Sequence, residues 1–410
     1  MKKWAVLLFC FIFPGLKAES DLFRLIRSAL ENSNKLKYDL HDKEINGLLK
    51  NREKFAFLPE ISVLSSFRES EGEPAYLSQE FQASCAFYLF DDRFYNLRRQ
   101  NLKTAEAEIN FRQAKADLAV KVIKLYYEIA EIQNKTEYYE KLKEKYEAEE
   151  EFTAELIKTG VRTELDKYSL RIEIKKLELA LLELIESCDE KIFELEQITK
   201  SECKEKLAAT KIELSDSFDF LSADNNFEKL KNDIEFQLAV SAKRKAFTNL
   251  LPDLYVSGSL RKSNFSFFSS RKEDERLSNR SISLNIGWDF GKLPAEITDY
   301  RIRKHYLKQA ELNKILLSER LERQIMSLQN NLRLKIKSKV LQKEKLTLAE
   351  KKLKLSQAFF RSGVTDFLDY KTAENEFLQA KSDLLKAEFD LIKISAEVDL
   401  FLGQKILGEF

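Results

Sequence analysis

Seven residues recur in this chain: Gly160-Val161-Arg162-Thr163-Glu164-Leu165-Asp166 returns as Gly363-Val364-Thr365-Asp366-Phe367-Leu368-Asp369. Their surroundings recur with them. Each copy follows a long stretch without Pro or Gly and precedes a heptad-patterned stretch. Further upstream each has a Leu-Pro pair, Leu58-Pro59 or Leu251-Pro252, that opens two runs of alternating polarity. The chain reads as one structural unit written twice at an offset of about 200 residues. A fold for it must accommodate two long helical hairpins and two pairs of strands.

Only 10 Gly and 5 Pro in 410 residues leave few places for a helix to break. From Asp92 to Thr159 neither occurs, and Leu118, Val122, Leu125, Ile129, Ile132, Thr136 and Tyr139 alternate steps of four and three. Such a helix is on the order of 100 Å long at ~1.5 Å per residue. Gly160 ends it, Thr163 is placed to cap the return helix, and Asp166 falls at its third residue. Leu170, Ile174, Leu177, Leu181, Leu184 and Cys188 mark the seam of that return helix. The second copy has Pro294 in the first turn of its long helix and Gly363 at its end, with Asp366 as cap and Asp369 at the third position. Its last helix carries Tyr370, Ala373, Phe377, Ala380, Leu384, Ala387, Leu391, Ile394, Val398 and Phe401 on one seam.

The alternating runs predict strands at about 60–68, 80–90, 253–262 and 280–290, by their period of two. Residues 20–56 read as one helix before Pro59, and Glu69–Ser78 and 262–279 as polar loops. In the strands Phe81, Phe87, Leu89, Ile282, Leu284, Ile286 and Trp288 share apolar faces, opposite Ser, Gln, Asn and Asp. This is the pattern of barrel strands, apolar toward lipid and polar toward a lumen. Four strands cannot close a barrel, and open edges are not tolerated in hydrocarbon. Closure needs several chains: eight strands from a dimer, twelve from a trimer.

Composition excludes other classes. With 69 Lys+Arg against 68 Asp+Glu the formal net charge is +1, which directs the chain to no nucleic acid or acidic surface. Two His, His41 and His305, lie far apart, and no Cys/His cluster offers a metal site or a cysteine nucleophile. No pair of carboxylates stands in a catalytic context, so neither an enzyme nor a cofactor is expected. Lys2-Lys3, the apolar run Trp4 to Phe13, Pro14-Gly15 and Ala18 have the order of a cleavable secretory signal over residues 1–18. That run is too short to span a bilayer as a helix. Cys188 and Cys203 are close enough in sequence to pair after export; equally, Cys188 reads as a small apolar core residue.

The order Leu-Pro, strand, strand, long helix, Gly-x-x-[Thr/Asp]-x-x-Asp, helix, twice over, resembles the TolC-type outer-membrane efflux proteins. Leu89-Phe90-Asp91 and Trp288-Asp289-Phe290-Gly291 sit where that family leaves its barrel. Leu25-x-x-x-Ala29-Leu30-Glu31-Asn32 and Ser395 to Gly403 match its opening and closing helices. The resemblance implies a mainly α fold with a small β part, in two repeats: 19–205, with a helical hairpin at about 92–200, and 226–410, with one at about 292–402, joined by a connector at 206–225. It implies a homotrimer, in which a twelve-stranded outer-membrane barrel continues into a periplasmic α-barrel. The implied role is the exit duct of a tripartite efflux or type I secretion system, exporting small molecules or proteins passively. Its implied partners are a periplasmic adaptor, an inner-membrane RND or ABC pump and outer-membrane lipid, with no nucleic acid. Gly160 and Gly363 fall at the hairpin turns of the periplasmic tip. Asp369 falls on the family's tip aspartate, where three copies form an acidic ring; Asp166 is its counterpart, and Arg162 is placed to pair with either. Thr365 stands where some relatives have a basic residue. The alternative reading of the helices is a periplasmic coiled-coil adaptor or scaffold.

Overall fold

Eleven elements alternate in groups of helices and strands in this computed structural model, which describes residues 21–70, 73–88, 92–158, 164–202, 223–263, 278–361 and 367–404. The order is α1 Asp21–Asn32, α2 Asn34–Phe55, β1 Glu60–Ser70, β2 Glu73–Tyr88, α3 Asp92–Lys158, α4 Glu164–Thr199, α5 Phe227–Thr248, β3 Asp253–Ser263, β4 Ser278–Gly287, α6 Leu293–Arg361 and α7 Phe367–Leu402. These elements form two compact units, and α2, α3 and α6 each contribute a segment to both.

One unit takes in residues 112–227 and 321–410 together with the N-terminal segment up to Lys37. Its core gathers Leu22, Leu25, Ile26 and Ala29 of α1, a run from Ala119 to Ala130 of α3, Leu195 of α4, and Phe389, Ile392 and Ala396 of α7. Heptad spacing correctly marks Val122, Leu125 and Ile129 as buried, but Ile123, Tyr126 and Tyr127 are just as buried. Here α3 is covered on several sides, so its burial exceeds one stripe. Tyr126 and Tyr127 meet edge-on at 5.4 Å, and Tyr127 packs at 5.3 Å against Phe389.

Ion pairs fix which helices are neighbours in this unit. Lys143–Glu178, Arg171–Glu150 and Lys191–Glu128 join α3 to α4. Lys124–Glu397 and Lys386–Glu131 join α3 to α7. Lys335–Asp390, Lys345–Asp383 and Lys352–Glu376 join α7 to α6. The lateral order is therefore α4, α3, α7, α6. At the far end of α7, Gly403 adopts φ +64°, and a Cβ there would overlap the Asn225 carbonyl oxygen. Gln404 N–H donates to Asp399 O at 3.0 Å and Asn226 Nδ2 to Phe401 O at 2.6 Å, satisfying the last carbonyls of the helix.

The single N-terminal helix expected over 20–56 is two helices. Ser33 breaks it: its Oγ accepts the Leu36 N–H at 3.3 Å and caps α2. Beside the break, Asn32 Nδ2 donates to Thr199 O at 3.3 Å and Ser28 Oγ to the same carbonyl at 2.8 Å, tying α1 to the end of α4.

The other unit, 38–111 and 228–320, holds the sheet. All four strands are antiparallel in the order β1-β2-β3-β4. The β2 strand begins at Glu73, well before the expected 80, and the described part of the polar loop expected over 69–78 is strand. Pro74 gives this stretch the look of a loop in sequence. It lies beyond the β3 ladder and at the register shift of β1, where a missing N–H costs no ladder bond. Below the sheet, Arg93 donates to Ala56 O at 2.9 Å and Ala86 O at 2.7 Å, fixing α3 to the ends of α2 and β2. Gln100 of α3 bonds Asn46 of α2, Lys245 of α5 pairs with Asp92 of α3, and Lys314 of α6 pairs with Asp233 of α5.

Candidate functional site

The sheet separates two chemistries by register. Leu254, Val256, Gly258 and Leu260 of β3 oppose Ile286, Leu284, Ile282 and Arg280 of β4, while Tyr255, Ser257 and Ser259 oppose Asn285, Ser283 and Ser281. Across the second interface Leu260 opposes Ala83 and Gly258 opposes Cys85; Ile61 of β1 in turn opposes Ala83. Apolar and polar residues therefore fall on opposite faces in register across the sheet.

The apolar face is uncovered. Ile282, Leu284 and Ile286 are 86 %, 68 % and 71 % exposed, and Ile61, Val63, Val256 and Leu260 are exposed as well. On the polar face Ser257 and Ser283 hydroxyls meet at 2.7 Å and Ser259 and Ser281 at 2.8 Å. Asn285 Nδ2 donates to Ser257 Oγ at 3.3 Å, and Tyr88 stacks on Tyr255 at 4.7 Å. This hydroxyl ladder makes a wettable wall, and a sheet with its apolar side bare and its polar side satisfied is inside-out for water. Both outer strands, β1 and β4, have one unpaired edge among the described residues.

Of the expected lipid-facing residues, Ile282, Leu284 and Ile286 share this exposed face. Trp288 lies just past the end of β4, not within it; it is exposed, and its ring lies tilted 4.8 Å from that of Phe290. Phe81 and Phe87 are in register in β2, opposite Val63 and Val256 respectively; their side chains, and Leu89 altogether, lie outside the described residues.

At the hairpin turns, Gly160, Arg162, Thr163, Gly363 and Asp366 lie outside the described residues, as does the side chain of Asp166. The helices α4 and α7 begin one residue after Thr163 and Asp366. Asp369 is exposed in the first turn of α7, where a carboxylate is favoured by the helix dipole. Nothing described brings Asp166 and Asp369 together. Cys188 is a free, half-buried thiol raised by burial and by the neighbouring Asp189; Cys203 is outside the described residues.

Two features escaped the sequence reading. Lys145 of α3 is buried, donating from Nζ to the Lys371 carbonyl oxygen of α7 at 2.8 Å. Burial holds its pKa down, to about 8, with Lys371 acting the same way and Glu374 and Glu149 opposing. The second is a pair of exposed apolar stripes on the outermost helices α4 and α6. Their signal was present in the sequence as Leu334, Leu341, Leu348 and Leu355, each seven residues from the next.

No groups of His, Cys, Asp and Glu able to hold a metal ion occur among the described residues. No described helix is long and apolar enough to cross a membrane. No family model matches the sequence, and no curated protein matches it. Solved structures do match the fold. The outer-membrane protein VceC from Vibrio cholerae superposes with TM-score 0.71 at 15 % identity, over 94 % of this chain and 96 % of that one. The CmeC outer-membrane channel of Campylobacter jejuni gives 0.71 at 12 %, over 95 % and 87 %. The open state of the Neisseria gonorrhoeae MtrE outer-membrane channel gives 0.72 at 14 %, over 93 % and 89 %. The chain has the fold of these outer-membrane proteins, a mainly α chain with a small antiparallel sheet, as its resemblance to the TolC-type proteins implied.

Proposed function

We propose that the chain is an outer-membrane exit duct: three copies close one twelve-stranded barrel, and cargo passes along its polar inner wall without chemistry. The observation that carries this reading is the sheet. Its apolar face is bare, the β3 and β4 serines bond one another on the other face, and β1 and β4 keep free edges among the described residues. In hydrocarbon those edges must be paired, and only further copies of the same strands can pair them. Lateral order supports the same closure in the helices, since α4 and α6 flank their unit on opposite sides. Residues 1–18 act as the export signal, and 19–205 and 226–410 as two repeats joined at 206–225. Transport is driven from outside the chain, by an inner-membrane RND or ABC pump acting through a periplasmic adaptor. The turns at Gly160 and Gly363 form the periplasmic tip, with Asp369 as an acidic ring.

Conductance across a planar bilayer tests this. Purified protein is expected to give discrete channels blocked by multivalent cations, and Asp369→Ala to lose the block while keeping the channels. Absence of channels contradicts the duct; an unchanged block leaves Asp369 as a helix-capping residue alone.

A further inference from the structure

Two helix faces in the unit built from 112–227 and 321–410 have no partner among the described residues. On α4, Leu165, Ile172, Leu179 and Phe193 are exposed, with Glu186 completing their period of seven. On α6, Leu334, Leu341, Leu348 and Leu355 are 65 %, 64 %, 66 % and 59 % exposed. Heptad stripes left bare on the outermost helices are half-seams.

Their charges are opposite. The α4 helix carries ten Asp and Glu against five Lys and Arg. The 331–361 stretch of α6 carries ten Lys and Arg against two Glu. Several α6 lysines are engaged by α7, but Arg333 and Lys337 form no salt bridge among the described residues, nor do Glu186 and Glu190 of α4. All four are exposed. Counted from the turn glycines, Glu186 and Lys337 are equally distant from Gly160 and Gly363, as are Glu190 and Arg333, and Leu182 and Leu341. Since α4 leaves its turn and α6 approaches its own, an antiparallel meeting with the turns level puts acid opposite base and leucine opposite leucine.

We propose that the acidic α4 face of one copy docks on the basic α6 face of the next, and that this charge asymmetry keys the assembly. It rests on the oligomeric duct reading above. Two α4 helices side by side in the same direction would set Glu183, Glu186 and Glu190 against their own copies, and two α6 helices would do the same with Arg333 and Lys337, which disfavours those pairings. The head-to-tail contact sets opposite charges together, and such a contact closes into a ring or runs on without end. The partner is thus a second copy of this chain, and the leucines supply burial while the charges choose the neighbour.

The test uses the full chain extracted from membranes, with the trimer fraction read by native electrophoresis. Glu186→Lys with Glu190→Lys is expected to lower the trimer fraction about tenfold at low salt. Adding Arg333→Glu and Lys337→Glu is expected to restore it to within about twofold of the original. Restoration excludes a mere folding defect in the double variant. Trimers unaffected by the double reversal, or not rescued by the fourfold one, overturn the seam while leaving the duct intact. A wild-type chain that runs as a monomer overturns both together.

Discussion

Lys145 shows what a single residue does in a long helical hairpin. Its ammonium is buried against the Lys371 carbonyl, and burial holds its pKa near about 8, below the ordinary 10.5. A lysine depressed in the folded state binds fewer protons folded than unfolded between those two values. Stability from this group therefore rises with pH across about 8 to 10.5, and below 8 the cost of the buried charge is felt in full. Lys145→Met is expected to raise the thermal midpoint at pH 7, by up to about 3 kcal/mol in stability. Above pH 10.5 that gain disappears, and the lost hydrogen bond leaves the variant level with wild type or below it. Calorimetry at pH 7, 9 and 10.5 checks this; parallel curves at all three show that the amine is not buried as a charge. Sequence patterning gave no warning of Lys145. A lysine among Glu144, Tyr146 and Glu147 looks like any solvated coiled-coil flank, and only the placement of α7 buries it.

Among the elements, the strands were the most legible from sequence. The period-two alternation of Ile282, Leu284, Ile286 against Ser281, Ser283, Asn285 named both faces, and the register confirmed them across β3. What it missed is instructive. Pro74 concealed the first part of β2, because a proline outside the ladder looks the same in sequence as one that ends a strand. Ser33 concealed the break between α1 and α2, since a capping serine and an ordinary helix-surface serine are spelled alike. Heptads in α3 showed one stripe of a helix that is covered on several. At this scale, Leu284→Arg is expected to abolish membrane assembly, at a cost of about 2–4 kcal/mol if the residue lies near the bilayer midplane. Ser283→Arg, one residue along on the hydroxyl face, is expected to assemble nearly normally. The amount of each variant in washed outer membranes decides it, and equal losses reject the assignment of faces.

For the whole molecule, the duplicated Gly-x-x-[Thr/Asp]-x-x-Asp turns lie mostly outside the described residues, while the helices on either side of them, α3 with α4 and α6 with α7, are joined by ion pairs. Lateral order within each unit could not be foretold, because it depends on which ion pairs form between segments far apart in sequence, such as Lys386 with Glu131. That order leaves α4 and α6 outermost in one unit, and β1 and β4 at the sheet edges in the other. If further copies complete these lateral edges, stoichiometry decides it. The measurement is native mass spectrometry of the wild-type chain released from detergent micelles. Three copies per particle is the predicted result; a stable monomer, with its sheet edges open, would contradict it.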